Sequence, residues 1–331
     1  GESGGDSGGD ALLADLTPPQ REAVTHVDGP LLVLAGAGSG KTRTITRRIA
    51  YLINRQGIAP WHVLAITFTN KAAGEMKERV GQLLTEKQAK AVTVATFHSL
   101  CARLLRQYAD VLGLPAGYSI YDTADQQRAV KQALQELEIS PSNFTPAKIL
   151  AAISNSKNEL VTAEEYKRIN TDFFSRIVGK VYAKYEQILE TNSALDFDDL
   201  LLKVVKLIQN HPEVAAELRD RFQYVLIDEY QDTNRAQFLI AHGLCAEHQN
   251  LCVTGDPDQS IYAWRGANIR NILDFEERYA DAKVVRLEQN YRSTKHILAA
   301  ADALIANNTQ RKSKALWTEN DHGEKLQVVT S

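Results

Sequence analysis

The residues with the most chemical content lie in two stretches far apart in the chain. Residues 35–42 read Ala35-Gly36-Ala37-Gly38-Ser39-Gly40-Lys41-Thr42, and residues 225–232 contain the adjacent acids Asp228 and Glu229. Glycines let a backbone curl so that successive N–H groups face phosphate oxygens. A helix that starts at the same place adds partial positive charge. Lys41 would reach the β- and γ-phosphates, and the Thr42 hydroxyl would hold Mg²⁺. Asp228 would hold that ion, directly or through water, and Glu229 would accept a proton from the attacking water. Together the two stretches describe hydrolysis of a nucleoside triphosphate. Ala35 stands where the loop pattern has its first glycine; alanine is small enough to do little harm there. The plain alternatives are a glycine-rich turn that binds nothing and an acidic helix N-terminus. The occurrence of both stretches, in this order, argues against each.

These groups need a sheet to hold them. Leu31-Leu32-Val33-Leu34 is an uncharged apolar run of the kind found in buried parallel strands, and Ile45, Ile49, Leu52 and Ile53 follow at helical spacing. The loop therefore sits between a strand and a helix. Tyr224-Val225-Leu226-Ile227 is a second such strand, ending at Asp228. Acids at the C-terminal edge of a parallel sheet lie where open α/β folds bind ligands. Strands are expected at 31–35, 62–67, 91–95, 224–227, 251–254 and 283–287, with helices between them. The fold class is α/β, a parallel sheet flanked by helices and interrupted by a nearly all-helical stretch over 102–218. Within that stretch Phe173, Phe174, Ile177, Val178, Val181, Tyr182, Tyr185, Ile188 and Leu189 form a helical stripe that reads as core.

Composition sets limits. The chain has 331 residues, 44% hydrophobic and 24% charged, an ordinary globular balance with length for two domains or more. Net charge is −3, and Glu2, Asp6 and Asp10 of the glycine-rich start account for all of it. Bulk charge therefore announces no nucleic-acid partner, and any such site must be local. Cys101, Cys245 and Cys252 have no metal or redox spacing and read as free thiols in a reducing compartment. With no apolar run of transmembrane length and no signal peptide, the expected location is cytoplasmic.

Other motifs gather around the acid pair. Gln259 ends Thr254-Gly255-Asp256-Pro257-Asp258-Gln259, after a third apolar strand, placed to sense the γ-phosphate or the attacking water. Tyr262, Trp264 and Arg265 follow, suited either to stacking on unpaired bases or, as aromatics usually are, to core packing. Thr67-Phe68-Thr69-Asn70-Lys71 offers hydroxyls, an amide and a lysine for a phosphate backbone, and a ring for stacking. Phe97 and His98 repeat that chemistry after the next strand, although a lone histidine at a helix start is more often a cap or packing residue. Gln20, after Thr17-Pro18-Pro19, has one donor and one acceptor that match adenine, or is a surface amide. In Gln289-Asn290-Tyr291-Arg292-Ser293, Arg292 could complete the phosphate site and Tyr291 could stack on a nucleotide base.

In order, the chain reads LTPPQ, AGAGSGKT, ITFTNKAA, TFHSL, LDFDDLL, VLIDEYQDTN, VTGDPDQSIYAWRGA and LEQNYRST. This set resembles the UvrD/PcrA/Rep group of superfamily 1 DNA helicases, from about Leu16 to the end. The resemblance implies an ATP- and Mg²⁺-dependent 3′→5′ translocase that unwinds duplex DNA, with ATP between two RecA-like domains. It implies that Gln20 contacts adenine and Tyr291 stacks on it. Residues 35–42, Arg43, Asp228, Glu229, Gln259 and Arg292 would surround phosphates and metal. Thr67, Phe68, Asn70, Phe97, His98, Tyr262, Trp264 and Arg265 would face DNA. The implied partners are single-stranded DNA, its junctions with duplex, and repair or replication proteins, with the pathway open; the implied location is the bacterial cytosol and nucleoid.

The expected division is a flexible acidic tail over 1–14, a first RecA-like ATPase domain over 15–101 and 219–287, a helical insertion over 102–218, and the opening of a second RecA-like domain over 288–331. A helix at 294–307 and a strand beginning near Leu326 do not make a core, and the family's later motifs, a second arginine finger among them, do not appear. The chain alone is thus expected to turn over weakly and to be incomplete for unwinding. A helicase-nuclease relative, a non-catalytic strand- or protein-binding module, and a small-molecule kinase are the competing readings; the last has no need of Tyr262, Trp264 and Arg265 together.

Overall fold

A computed structural model describes residues 11–115, 117–263, 266–309, 312 and 314–327. Its centre is a six-stranded, all-parallel sheet made of β1 (Leu31–Ala35), β2 (Val63–Thr67), β3 (Thr93–Thr96), β6 (Tyr224–Ile227), β7 (Leu251–Gly255) and β8 (Lys283–Leu287). The order across the sheet is β3-β2-β6-β7-β1-β8. The strands lack polar alternation because both faces are covered. Leu32, Leu34, Leu64, Ile66, Val225, Ile227 and Val253 point into one core. Their neighbours in sequence, Leu31, Val33, Val63, Ala65, Leu226 and Cys252, point into the other, as period-two side chains must.

Helix Lys41–Asn54 and helix Asn70–Leu83 cover the second face. Helices Phe97–Gln107, Phe197–Asn210, Pro212–Arg221 and Arg235–Cys245 cover the first. A third core, with Val130, Ile149, Ile153, Val181 and Tyr185 at its centre, joins helices Thr123–Glu136, Pro146–Asn158 and Phe173–Thr191.

The packing differs from the sequence expectation in three places. The boundaries at 102 and 218 cut through elements of the sheet's own core, because the apolar stripes of helices 97–107, 197–210 and 212–221 face the sheet. The helical stretch contains a two-stranded parallel pair, β4 (Ser119–Ile120) with β5 (Ala194–Leu195), so it is not purely helical. Phe173 and Phe174 are exposed (67% and 40%) rather than core. They form the first turn of their helix, and their rings lie against Phe144 at 6.2 and 6.1 Å instead of reaching the buried stripe. Toward the end, helix Lys295–Ile305 forms, Leu326 and Gln327 are in no strand, and residues 328–331 lie outside the described residues. Among the described residues no helix is long and apolar enough to cross a membrane.

Candidate functional site

The glycine loop, the acid pair and Gln259 follow β1, β6 and β7 and so sit at the C-terminal edge of the sheet. The loop after β1 turns through two left-handed glycines, Gly38 (φ +69°) and Gly40 (φ +81°). Both positions are also crowded. A Cβ on Gly38 would lie 2.7 Å from Arg292 Cβ, and one on Gly40 would lie 2.7 Å from Gln20 Nε2. Glycine is therefore required for backbone shape and for the approach of two other motifs. Asn290 anchors its own motif to the loop: Nδ2 donates to Ala37 O at 2.5 Å, and Oδ1 accepts from the Arg292 and Ser293 N–H groups at 2.9 and 2.7 Å. Tyr291 N–H donates to Gly38 O at 3.0 Å.

A cavity of about 540 Å³ results, lined by the loop from Gly36 to Arg43 together with Gln20, Arg79, Glu229, Gln259, Tyr291 and Arg292. Ala35, the end of β1, is buried behind it. Lys41 Nζ pairs with Glu229 Oε1 and lies 3.3 Å from Asp228 Oδ1. Burial alone would depress the Lys41 pKa; Asp228 and Glu229 outweigh that and raise it. The lysine is thus a fixed cation at any ordinary pH. Asp228 is tied by Oδ1 to the Thr254 hydroxyl at 2.7 Å and to the Glu229 N–H at 2.9 Å. Glu229 is in the left-handed region (φ +52°), a strained conformation for a residue with a side chain, and such strain collects at functional sites.

Gln20 is 3% exposed, so it is not a surface amide. Thr17 and Gln20 form a reciprocal capping box, and Gln20 Nε2 donates to Ser39 O at 3.1 Å, docking helix Pro18–Thr25 on the loop. A smaller adjoining cavity of about 270 Å³ lies between Gln20, Pro18, Tyr291 and Trp317. Sequence reasoning missed Trp317 and Arg79. Neither belongs to a strand-end motif, and only the fold brings them to these cavities.

A second cleft, about 640 Å³, opens between the ends of β2 and β3 and the helical insertion. Phe68, His98 and Tyr262 line its sheet side; Gln126, Ser154 and Asn158 line the other. The Phe68 and Tyr262 rings stack at 6.2 Å and 20°. Burial depresses the His98 pKa, so the ring is neutral near pH 7. Asp232 lies on the floor, its carboxyl pushed up to about 6 by burial and by Glu229. Asn234 Nδ2 donates to Asn158 Oδ1 at 2.7 Å, fastening the two walls at their base.

The expected strand-facing residues separate. Phe68, Tyr262 and His98 line the cleft together, and Phe97 reaches it while packing mainly in the sheet core at 2% exposure. Thr67 also lines the cleft although it is buried, its hydroxyl donating to Thr69 O at 3.2 Å, whereas Asn70 is exposed but outside the cleft lining. Trp264 and Arg265 lie outside the described residues.

The sequence matches the model of the UvrD/REP helicase N-terminal domain over residues 16–280 and that of the UvrD-like helicase C-terminal domain over 285–331. It is 53% identical over 315 residues to the ATP-dependent DNA helicase PcrA of Bacillus subtilis (strain 168), covering 95% of this chain and 42% of that protein. It is 50% identical over 316 residues to PcrA of Staphylococcus aureus (strain Mu50), covering 96% and 43%. The chain thus spans about two-fifths of the length of these curated relatives. With one family model covering most of its residues and half of them identical to those relatives, the chain belongs to the UvrD/REP helicase family.

Proposed function

We propose that this chain is the ATP-hydrolysing, strand-gripping part of an ATP-dependent 3′→5′ DNA helicase that acts on single-stranded DNA and its junctions with duplex. One observation carries the reading: the loop lysine, Glu229 and Gln259 line one cavity, Asp228 lies 3.3 Å from that lysine, and an aromatic-lined cleft opens on the same sheet edge. The smaller cavity beside Gln20 and Tyr291 takes the adenine ring. Lys41, Arg43 and Arg292 neutralise phosphate charge, Glu229 takes the proton of the attacking water, and Gln259 orients that water.

The oxygen donors present suit Mg²⁺, which favours a few carboxylate or hydroxyl ligands beside phosphates. Thr42 and Asp228 would hold it. When bound, the ion would draw charge from the β- and γ-phosphate oxygens. Phe68 and Tyr262, with Trp264 and Arg265, grip unpaired bases. The division is a first RecA-like domain interrupted by a helical insertion, and the beginning of a second such domain over 288–331. Such a protein works where DNA is, in the cytosol and nucleoid, beside repair or replication proteins.

Hydrolysis by this chain is expected to rise on addition of single-stranded DNA. Phe68→Ala should raise the DNA concentration for half-stimulation about tenfold, the scale of one lost base stack. Hydrolysis with no response to DNA would instead favour a small-molecule phosphotransferase.

A further inference from the structure

Gln259 enters the phosphate cavity from the turn Pro257–Gln259 after β7. Its amide has a fixed sense. Nε2 donates to Asp256 Oδ2 at 2.7 Å, so the carbonyl Oε1 is the end available to the cavity. An acceptor there can hold a hydrogen of the attacking water; a donor cannot.

Asp256 is 2% exposed. Its Oδ1 accepts the Asp258 N–H at 3.0 Å and pairs with Lys314 Nζ. Its own N–H donates to Gln231 Oε1 at 3.0 Å, and Gln231 Nε2 donates to Glu229 Oε2 at 3.0 Å. Lys314 Nζ also lies 3.0 Å from Asp258 Oδ2, and its side chain is only 4% exposed. One buried ammonium therefore serves two buried carboxylates. The Asp256 carboxylate also accepts from Gln259, while the Asp256 backbone N–H leads through Gln231 to Glu229. The segment that carries Lys314 is docked beside the nucleotide loop: Trp317 N–H donates to Glu288 O at 3.0 Å, and Asn290 N–H donates to Trp317 O at 2.8 Å. It lies in the stretch matched by the C-terminal-domain model.

We propose that Lys314 is a positioning residue, which through the Asp256 carboxylate sets the sense of Gln259 and, by holding Asp256 in place, keeps the backbone N–H on which Gln231 and so Glu229 lean. The proposal rests on the reading of the phosphate cavity given above. A buried carboxylate that loses its cation takes up a proton or turns toward water. Once Asp256 is no longer held as a fixed acceptor, the Gln259 amide loses its reason to present Oε1. The docking of residues 314–317 thereby decides whether the hydrolytic pair is aligned. ATP is held by other groups, so nucleotide affinity is separate from this effect.

The test is single-turnover ATP hydrolysis by this chain with Mg²⁺ and single-stranded DNA, beside titration of a fluorescent ATP analogue. Lys314→Met is expected to slow hydrolysis at least tenfold with affinity within threefold of wild type, and Lys314→Arg to recover most of the rate. Asp256→Asn, which leaves Lys314 paired with Asp258, should give the same rate-only loss and serves if the methionine variant does not fold. An unchanged rate in either disruptive variant overturns the proposal. So does loss of affinity in parallel with rate, or an arginine variant as slow as the methionine one. A wild-type chain that binds the analogue but never turns over overturns the reading of the cavity itself, and this proposal with it.

Discussion

Glu229→Gln is expected to lower ATP hydrolysis about 10³-fold, within the range assigned to a positioned general base. The substitution keeps length and shape but removes the ability to take a proton. The structure gives reasons to expect no loss of fold. Glu229 Oε2 accepts from Gln231 at 3.0 Å and Oε1 faces Lys41, and a glutamine carbonyl oxygen can still accept from either partner. The left-handed backbone at this position is held by the Asp232 N–H, which donates to Glu229 O at 2.9 Å, and by the Glu229 N–H on Asp228. Those bonds do not involve the carboxylate. Nucleotide binding should be retained or tightened, because one negative charge leaves the wall that faces the phosphates. Single-turnover hydrolysis and a fluorescent-nucleotide titration measure the two quantities separately. A variant within tenfold of wild-type rate would remove Glu229 from the role of base.

The half of the candidate site around Lys41 is legible in sequence because its parts are local. A glycine loop between an apolar run and a helical stripe, and an acid pair after another run, state their positions at the C-terminal sheet edge without any long-range information. The strand limits shifted by only a residue or two where neighbouring elements compete. Pro60–His62 forms a helical turn that delays β2 to Val63, and the capping box of Thr85 and Gln88 carries a short helix to Ala91, delaying β3 to Thr93. What stayed hidden depends on distant chain meeting distant chain. Gln20 is buried beside its bond to Ser39, Trp317 reaches the smaller cavity through backbone pairing with residues 288–290, and Lys314 meets Asp256 across 58 positions. Periodicity misplaced Phe173 and Phe174 because it counts spacing and does not see where a helix outruns the core it packs on. In sequence the LDFDDLL stretch reads only as a family motif. Its physical role needs the partner that three-dimensional packing supplies.

That partner is Lys157, and Lys157→Met should be the most damaging single change to stability. The Lys157 Nζ lies 2.7 Å from Glu186 Oε1, 2.8 Å from Asp196 Oδ2 and 2.8 Å from Asp199 Oδ1, with its side chain 1% exposed. Tyr185 OH donates to Asp196 Oδ2 at 2.9 Å, and Asp196 and Asp199 cap the same helix reciprocally at 2.8 and 3.1 Å. One ammonium thus joins three helices where the insertion's core meets that of the sheet. Burial alone would depress the Lys157 pKa; Asp196, Asp199 and Glu186 outweigh it and hold it well above the usual value. Burial pushes Asp196 up, but the Lys157 charge and hydrogen bonds more than offset that and leave it below the ordinary carboxylate range. Asp199 is pushed up to about 7 by burial, only partly offset by Lys157.

Methionine fills the volume but leaves those carboxylates without their cation, and breaking a buried pair in this way costs about 3–5 kcal/mol. The cost should grow with pH. Without Lys157 the folded state holds Asp196 and Asp199 protonated to higher pH than the unfolded chain does, whose aspartates titrate near 3.9. The folded state then binds more protons than the unfolded one, so stability falls as pH rises through that interval. Thermal unfolding of wild type and Lys157→Met at pH 5.5 and pH 8 reads both effects, with the gap in Tm expected to widen at the higher pH. A gap that is equal at the two values would mean that water enters and solvates the carboxylates once the ammonium is gone, and that this junction is wetter than its burial shows.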